Sequence, residues 1–239
     1  MTYLSRLALN PRDRRVQRDV ADCQALHRTI LSAFPRVDGD ARSGCGVLYR
    51  LEVGRGEVTV LVQSRIRPGW SSLPTNYLAA DAGCKSVEEL YADIRDGQAL
   101  RFRIRANPTK RISPSNPGRR TGPRVDLQRE EDQVDWLKRK GDAGGFELVT
   151  VRVTTGLGAG RGPQLSEVPD VRVVAGEKVH GWRATPAAGG ARLTFGSVLF
   201  DGELRVTDAT RFREALLGGI GSGKAYGFGL LSVAPARSQ

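Results

Sequence analysis

The segment from Gly218 to Gly229 constrains the fold of this chain most, because six of its twelve residues are glycine. Glycine lacks a Cβ atom, so its backbone can turn in ways that other residues avoid and can approach other groups closely. The pattern of residues 208–217 indicates a helix, and that of residues 226–233 indicates a strand. We therefore predict a glycine-rich turn between a helix and the last strand, with backbone amides and Lys224 able to face a polyanion.

The same turn nearly matches the phosphate-binding P-loop, since four residues separate Gly218 from the pair Gly223 and Lys224. That motif continues with a serine or threonine whose hydroxyl binds magnesium, whereas this chain has Ala225. A P-loop also follows a strand and opens a helix, which is the reverse of the order predicted here. The sequence therefore predicts no nucleotide cofactor.

The charge of the chain is strongly positive. Lysine and arginine total 37 against 26 acidic residues, so the formal net charge is +11. An excess of this size is typical of proteins that bind nucleic acid or another anionic surface. The alternative is a solvated, arginine-rich surface without a partner. No apolar run approaches the roughly 20 residues of a membrane span, so we expect no membrane partner.

Cysteine and histidine are scarce. Cys23, Cys45 and Cys84 are odd in number and far apart, which favours neither a zinc site nor a disulfide framework. His27 and His180 are the only histidines, so a histidine-based metal centre is not expected. The N-terminus lacks the basic start and the cleavage site of a signal peptide. We expect a cytoplasmic protein that uses no metal and no other cofactor.

Alternating and helical patterns define the organisation of the chain. The predicted strands are Thr2–Asn10, Val47–Val53, Val58–Ser64, Leu100–Ala106, Phe146–Thr154, Arg192–Phe200, Leu204–Val206 and Gly227–Val233. The predicted helices are Asp19–Phe34, Ser86–Arg95, Gln128–Lys140 and Asp208–Leu217. With a weak strand after the second helix, the order is nearly β-α-β-β-α-β twice. We predict an α+β fold of two tandem ferredoxin-like (βαββαβ) domains, residues 1–96 and 97–239, in preference to one doubly wound sheet.

Three stretches are predicted to lack regular structure. Residues 12–19 are predicted as a charged loop and residues 156–190 as a region of low order. Residues 109–124 are rich in proline, serine, glycine and cations, which is typical of a mobile basic loop that orders on binding. A disordered, solvated loop is the alternative for this last stretch.

Two motifs resemble those of a known family. Residues 100–111, LRFRIRANPTKR, resemble the LRFRLRANPxK stretch of the CasE family, and residues 219–232, GIGSGKAYGFGLLS, resemble its closing GxGxxKxxGxGLLS element. Leu26-His27-Arg28 is similar to the LHR or LHQ of the first helix of that family, and Trp136-Leu137 to its WL helix. These matches run in order along essentially the whole chain. On the basis of these motifs the chain is identified as a member of the CasE family.

The resemblance implies a function as well as a fold. CasE proteins are CRISPR-RNA processing endoribonucleases of type I-E systems, built from tandem ferredoxin-like domains. Membership implies metal-free cleavage of CRISPR repeat RNA at the base of its stem-loop. It also implies that the enzyme keeps its product and joins the other subunits of the Cascade complex. A non-catalytic RNA-binding subunit of a CRISPR complex is the alternative.

The resemblance points to His27 as the catalytic histidine. Metal-free RNA cleavage must remove a proton from the 2′-hydroxyl, deliver one to the 5′-oxygen and stabilise the crowded phosphorane between these steps. Imidazole suits either proton transfer because it titrates near neutral pH. Whether His27 acts as the base or as the acid stays open, and a core or capping histidine is the alternative interpretation.

The chain departs from the family pattern near His27. Some members have a tyrosine three residues before the histidine, where this chain has Gln24, and a lysine further along, where it has Ser32. Glutamine can orient a hydroxyl or a phosphate but is a poor proton carrier, so a different partner such as Tyr3 is an alternative. The predicted catalytic residues are His27, Gln24, and the cations Arg28 and Lys224, which could stabilise developing charge.

Binding of RNA is predicted to rest on phosphate contacts, since an A-form stem hides its base edges in a deep groove. The arginines of the clearest strand lie on the face opposite its apolar residues, where a solvated face is the alternative. Gly221 and Gly223 would offer backbone amides. The cations predicted to bind RNA are Arg101, Arg103 and Arg105 of the strand and Lys110, Arg111, Arg119, Arg120 and Arg124 of the basic loop.

Overall fold

The structure is a computed structural model that describes residues 1–35, 41–113, 122–154, 165–183 and 190–236. Within them the helices are α1 (Arg14–Ala21), α2 (Cys23–Leu31), α3 (Ala41–Gly44), α4 (Glu88–Ala92), α5 (Glu130–Gly144) and α6 (Ala209–Gly218). The strands are β1 (Tyr3–Leu9), β2 (Leu48–Val53), β3 (Val58–Ser64), β4 (Gly83–Ser86), β5 (Ala99–Ala106), β6 (Thr109–Arg111), β7 (Arg124–Asp126), β8 (Phe146–Leu148), β9 (Thr150–Thr154), β10 (Leu165–Pro169), β11 (Val171–Arg183), β12 (Ala191–Val206) and β13 (Leu231–Pro235).

Two antiparallel sheets repeat the same topology. The first has the order β2-β3-β1-β4 and the second the order β11-β12-β5-β13, with β8 paired to the end of β12. In both sheets the first and third strands of the unit lie in the middle, as a βαββαβ unit requires. The predicted α+β fold of two ferredoxin-like units is therefore confirmed. The boundary between residues 96 and 97 stays a prediction.

Each sheet covers its own apolar core. In the first core the β1 residue Leu7 packs with Leu26 of α2. In the second core Ile104 of β5 packs with Phe212 of α6, and Tyr91 of α4 belongs to this core as well. The apolar face predicted for residues 100–106 is buried, because a strand that alternates between apolar and charged residues buries its apolar side.

The start of the helical region differs from the prediction. The charged stretch 12–19 is not a loop but most of α1, and the predicted helix from Asp19 to Phe34 is interrupted at Asp22. Asp22 has an extended backbone, and its carboxylate caps α2 while that of Asp13 caps α1. A carboxylate that accepts from the first free amides starts a helix, so two helices form where the apolar pattern alone suggested one.

The second unit contains more strand than the prediction gave it. In the region assigned low order, residues 165–169 and 171–183 form β10 and β11, and nearly all of β11 pairs with β12. Strand β12 also joins two strands that were predicted separately. Gly202 lies inside this strand, and a Cβ at this position would collide with the Asp170 carbonyl oxygen. This glycine therefore permits a close approach of the backbone instead of ending the strand.

Three further boundaries differ. The stretch predicted as one strand at residues 146–154 is split between β8, which pairs with β12, and β9, which pairs with β10. The weak strand of the first unit was predicted after the second helix. The fourth strand of that sheet is instead β4, which precedes α4 and pairs with β1. The last strand begins only at Leu231, since Gly227 and Gly229 adopt left-handed backbone conformations that a strand cannot accommodate.

The glycine-rich loop between α6 and β13 folds back on itself. The Ile220 amide donates to the Gly229 carbonyl at 2.9 Å, and the Gly229 amide donates to the Arg105 carbonyl of β5 at 2.8 Å. The loop therefore needs backbone turns that only glycine adopts without strain. The glycines of this loop that have φ between 72° and 85° are Gly219, Gly221, Gly223, Gly227 and Gly229.

Replacing Gly229 by alanine should destabilise the protein more than the matched replacement of Gly97. Both residues have positive φ, but a Cβ at Gly97 meets no atom within 4 Å, whereas one at Gly229 meets the Ile220 carbonyl oxygen at 2.5 Å. Gly97→Ala should cost about 1–2 kcal/mol of left-handed strain, and Gly229→Ala clearly more. Chemical denaturation measures both losses, and equal losses would contradict the closure of the loop described here.

Candidate active site and nucleic-acid interface

The helix that carries His27 begins at a capped turn. The Asp22 carboxylate accepts hydrogen bonds from the backbone amides of Gln24 at 2.8 Å and Ala25 at 3.1 Å. This cap satisfies amides that would otherwise lack partners at the helix start. His27 follows in the second turn of α2 and is half-buried, while the next residue, Arg28, is exposed.

A buried carboxylate fixes α2 against α1. Asp19 is fully buried and accepts from the Thr29 hydroxyl at 2.6 Å and from the Tyr77 hydroxyl at 2.9 Å, and it is paired with Arg18 at 3.1 Å. Burial and the neighbouring Asp19 charge raise the pKa of Tyr77, so its hydroxyl stays a donor. Because Thr29 is two residues from His27, this network fixes the orientation of the helix that presents the imidazole.

A row of aromatic rings leads away from His27. The His27 ring packs against the Tyr226 ring with centroids 5.8 Å apart, and Tyr226 packs against Phe195 at 5.1 Å. Phe195 in turn contacts Phe228 at 5.8 Å, and the Arg105 guanidinium lies over Phe228 at 5.5 Å. We call His27, Tyr226, Phe195 and Phe228 the aromatic row. It joins α2 to the glycine-rich loop and to β12, so the surroundings of His27 come from distant parts of the sequence.

Strand β11 approaches the start of α2 closely. A Cβ on Gly181 would meet the Cys23 sulfur at 2.6 Å and an Asp22 carboxylate oxygen at 3.1 Å. Arg183 is exposed and lies two residues on, so it projects from the same face of the strand. Burial raises the pKa of Tyr226, and the Arg183 charge acts in the opposite direction. Arg183 is therefore a cation close to Tyr226 and to the start of α2.

Sequence reasoning missed both Tyr226 and Arg183. Tyr226 could have been found from its position in the glycine-rich segment, but a role there was predicted only for the glycines and for Lys224. Arg183 falls in a region that was expected to have little order. Neither residue is near His27 in the sequence, so only the tertiary fold brings them together.

The predicted catalytic residues do not all lie together. Gln24 is half-buried one turn before His27, and Arg28 follows His27 on the same helix. The Lys224 ammonium donates to the Gly218 carbonyl at 2.6 Å and faces a different cavity. The alternative partner Tyr3 makes a hydroxyl contact with the Met1 sulfur at 3.4 Å.

The cavity beside Lys224 is strongly basic. It has a volume of about 580 Å³, and Trp136 forms part of its wall. Arg111 and Arg124 stand directly opposite each other on β6 and β7, an arrangement of like charges that is unfavourable unless an anion lies nearby. Burial lowers the pKa of Lys224, and Arg42 and Lys140 add to the effect. We call this the basic cavity. Its lining contains one acidic residue, Glu214, and the cations Arg111, Arg124, Lys140, Arg211 and Lys224.

The β5 arginines are engaged with protein groups. Arg103 forms ion pairs with Asp201 and with Glu52 of the first sheet. Arg105 donates to the Ser197 hydroxyl at 2.8 Å and to the Leu51 carbonyl at 3.3 Å, and burial lowers its pKa. These contacts join β5 to the first sheet and to β12.

The remaining predicted RNA-binding residues are distributed as follows. Arg101 donates to the Pro235 carbonyl at 3.2 Å, and Lys110 is exposed on β6. A Cβ on Gly221 would meet the Trp136 ring at 3.0 Å, and one on Gly223 would meet the Phe228 ring at 2.9 Å. Close packing therefore accounts for both glycines. The predicted residues that lie outside the described part of the chain are Arg119 and Arg120.

Neither a metal cluster nor a membrane span is found in the described part of the chain. Among those residues, no group of three or more histidine, cysteine, aspartate or glutamate side chains could hold a metal ion. Within the same ranges, no helix combines the length and the apolar character needed to cross a membrane.

Comparison with known proteins gives consistent matches over the whole chain. A family model described as CRISPR associated protein matches residues 2–235. The chain is 37% identical over 235 residues to the CRISPR-associated endoribonuclease Cse3 of Thermus thermophilus, covering 98% of this chain and 100% of that protein. It is 28% identical over 220 residues to the CRISPR system Cascade subunit CasE of Escherichia coli, covering 90% and 92%.

A solved structure is similar in fold as well as in sequence. The CRISPR endoribonuclease Cse3 bound to a 19-nucleotide RNA superimposes with a TM-score of 0.76 at 35% identity, covering 98% of this chain and 100% of that one. The chain therefore belongs to the CRISPR-associated protein family and, within it, to the CasE (Cse3) endoribonucleases.

Proposed function

We propose that this protein is a metal-independent endoribonuclease that binds the stem-loop of CRISPR repeat RNA and cuts at the base of the stem. The observation that carries the proposal is that the glycine-rich loop connects the basic cavity to the surroundings of His27. Lys224 of this loop lines the basic cavity, and Tyr226, only two residues later, packs against the His27 ring. A polyanion that extends from the basic cavity along this loop can therefore reach the imidazole.

The names of the relatives support this proposal. Cse3 of Thermus thermophilus is an endoribonuclease, and its structure has been solved with RNA bound. CasE of Escherichia coli is a Cascade subunit. By this similarity the present chain releases CRISPR RNA from its precursor, keeps the product and assembles with the other Cascade subunits. We place the protein in the cytoplasm, because its three cysteines are free, as is typical of proteins in a reducing compartment.

The chemistry assigned to His27 needs no metal. The 2′-hydroxyl next to the scissile phosphate loses its proton and attacks phosphorus, and the 5′-oxygen departs as it gains a proton. An imidazole near neutral pH can carry one of these two protons. Arg28 and Arg183, both exposed beside this part of α2, are placed to contact the phosphate and to stabilise its developing charge.

Recognition of the stem is assigned to the basic cavity and to the β6–β7 hairpin. Arg111 and Arg124 form the last residue pair before the connection of this hairpin, and Lys110 is exposed beside them. Arginine binds phosphate with a planar pair of donors, which suits the backbone of an A-form stem. Arg119 and Arg120 belong to the connection between the two strands and remain predicted contacts. RNA binding by Arg101, Arg103 and Arg105 also stays a prediction, and all three donate to groups of the protein.

A non-catalytic RNA-binding subunit is the second candidate. Two features favour it, namely the amide of Gln24 and the short hydroxyl of Ser32 at positions where some family members have a tyrosine and a lysine. The Ser32 hydroxyl donates to the Thr29 carbonyl at 2.7 Å, so it caps its own helix and does not point to a phosphate.

Cleavage should depend on His27 and not on the other histidine. A hairpin RNA of the host's own CRISPR repeat is incubated with the protein in EDTA, and the single-turnover rate and the RNA dissociation constant are measured. His27→Ala should lower the rate by roughly 10²–10⁴-fold without loss of binding. His180→Ala is the matched control, because His180 lines the cavity that Tyr226 also lines, but its ring nitrogen lies near the Thr194 hydroxyl, and it should cut normally.

The outcomes of this experiment separate the candidates. Loss of wild-type cutting in EDTA would rule out a metal-independent mechanism. Tight binding without cutting by the wild-type protein would favour the non-catalytic subunit. Equal loss of activity in both histidine variants would contradict the assignment to His27.

The cations of the basic cavity should determine the salt dependence of binding. Arg111→Ala/Arg124→Ala should weaken RNA binding and make the slope of log K against log salt shallower by about one per lost phosphate contact. The control, Arg95→Ala/Arg152→Ala, removes two arginines that already pair with carboxylates of the protein. Fluorescence titrations over a range of salt concentrations give both slopes. Identical slopes in the two double variants would contradict the assigned interface.

A further inference from the structure

RNA cleavage by the proposed route has two proton transfers, and His27 can perform only one of them at a time. The second group must lie close to the same phosphate. Gln24, one turn before His27, carries an amide that does not transfer protons. The only other histidine, His180, lines the cavity that Tyr226 also lines, but its ring nitrogen lies 3.3 Å from the Thr194 hydroxyl on the β11–β12 hairpin. Among the described residues, Tyr226 packs its ring against that of His27 and carries a transferable proton.

The fold holds Tyr226 in place from several sides. Its ring lies between those of His27 and Phe195, with centroid distances of 5.8 and 5.1 Å. The preceding carbonyl, that of Ala225, accepts from the Tyr49 hydroxyl at 2.9 Å. The following residue, Gly227, has φ of 85° and lies against the Tyr49 ring. A side chain with both neighbours fixed in this way is preorganised, as a catalytic group needs to be.

The Tyr226 phenol is also reachable and protonated. The residue is half-buried and lines a cavity of about 920 Å³ together with Cys23 and Leu26 of α2. Burial raises its pKa, with a further contribution from Cys23 and an opposing one from Arg183. A phenol that keeps its proton at neutral pH can donate a hydrogen bond or a proton, but it cannot act as the base.

We propose that Tyr226 is the general acid of this enzyme and that His27 is its base. The inference rests on the proposed function. In the step, His27 takes the proton of the 2′-hydroxyl, the O2′–P bond forms and the P–O5′ bond breaks. The phenol of Tyr226 gives its proton to O5′. The imidazolium of His27 then releases its proton to water and the Tyr226 phenolate takes one up, which restores both groups. One product ends in a 2′,3′-cyclic phosphate and the other in a 5′-hydroxyl.

The direction of this transfer is chemically sound. The departing 5′-oxygen is an alkoxide, which is far more basic than a phenolate, so the proton moves toward the stronger base. Arg183, whose charge favours the phenolate, stabilises Tyr226 after it has given up the proton. The glycine-rich loop thus supplies a phenol beside His27, where the first turn of α2 supplies only the amide of Gln24.

The first test replaces the hydroxyl alone. Tyr226→Phe keeps the ring and its packing against His27 and Phe195, so the fold and the RNA dissociation constant should not change. The single-turnover cleavage rate should fall about 100-fold or more, which is the size of a general-acid contribution. Tyr91→Phe is the matched control, because it removes a hydroxyl that donates to Gln63 in the core of the protein, and it should cut at the wild-type rate.

The second test identifies the role of the phenol. A hairpin substrate with sulfur in place of the scissile 5′-oxygen releases a thiolate, and a thiol, with a pKa of about 8.5, hardly needs an acid to leave. With this substrate Tyr226→Phe should recover to within about tenfold of the wild-type rate, while His27→Ala should stay slow, because its missing base still limits the attack.

The results distinguish this inference from the proposed function. If the wild-type protein cuts and Tyr226→Phe cuts within about threefold of it, the inference is wrong and the endoribonuclease assignment stands. If the sulfur substrate restores His27→Ala instead, the two roles are reversed and the inference is also wrong. If the wild-type protein cuts neither substrate, the proposed function itself fails.

Discussion

The left-handed glycines of the loop between α6 and β13 are the constraint on which the rest of the structure depends. Their backbone conformations let the loop close on itself and receive side chains of the first sheet. The Tyr49 hydroxyl donates to the Ala225 carbonyl, buried Arg50 donates to the Leu230 carbonyl, and the Gln63 amide donates to the Leu216 carbonyl. Side chains of one sheet thus satisfy backbone carbonyls of the other unit. Since a buried carbonyl without a donor is costly, these bonds fix where both cavities form.

The positive side chains of this protein have two separate roles. Some pair with groups of the protein itself and others line the basic cavity, and the net charge does not distinguish these roles. Arg103 and Arg105 were predicted from their alternation on β5, and the alternation is correct. Their guanidinium groups, however, meet Glu52, Asp201 and the Leu51 carbonyl. Arg111 and Arg124 of the basic cavity lack such partners within the described residues. Lys224 donates to the Gly218 carbonyl, Lys140 lies over the Trp136 ring and Arg211 pairs with Asp208. A cation already paired within the protein has little to gain from a phosphate, so we assign RNA affinity mainly to the basic cavity.

The sequence was most informative where structure depends on local pattern. The strand at residues 100–106 and the two-unit topology follow from alternation and from element order, and both were predicted. The break at Asp22 was missed although it is local, because the apolar pattern runs across it and only the capping potential of aspartate marks it. Strand β11 was missed because its exposed, glycine-containing sequence becomes a strand through pairing with β12. For the site, His27 and Gln24 could be found from the family resemblance, whereas Tyr226 and Arg183 could not, since only the fold brings them to the start of α2.

This arrangement ties the proposed chemistry to substrate binding through one short stretch of backbone. Lys224 in the basic cavity and Tyr226 beside His27 are separated by a single residue, Ala225, whose carbonyl is held by Tyr49. A shift of the loop would therefore move a phosphate-binding cation and the phenol together. RNA bound in the basic cavity would restrain Lys224 and, through Ala225, the position of Tyr226 next to the imidazole. Under the proposed function, the contacts that hold the stem would be the same ones that align the acid with the bond to be cut.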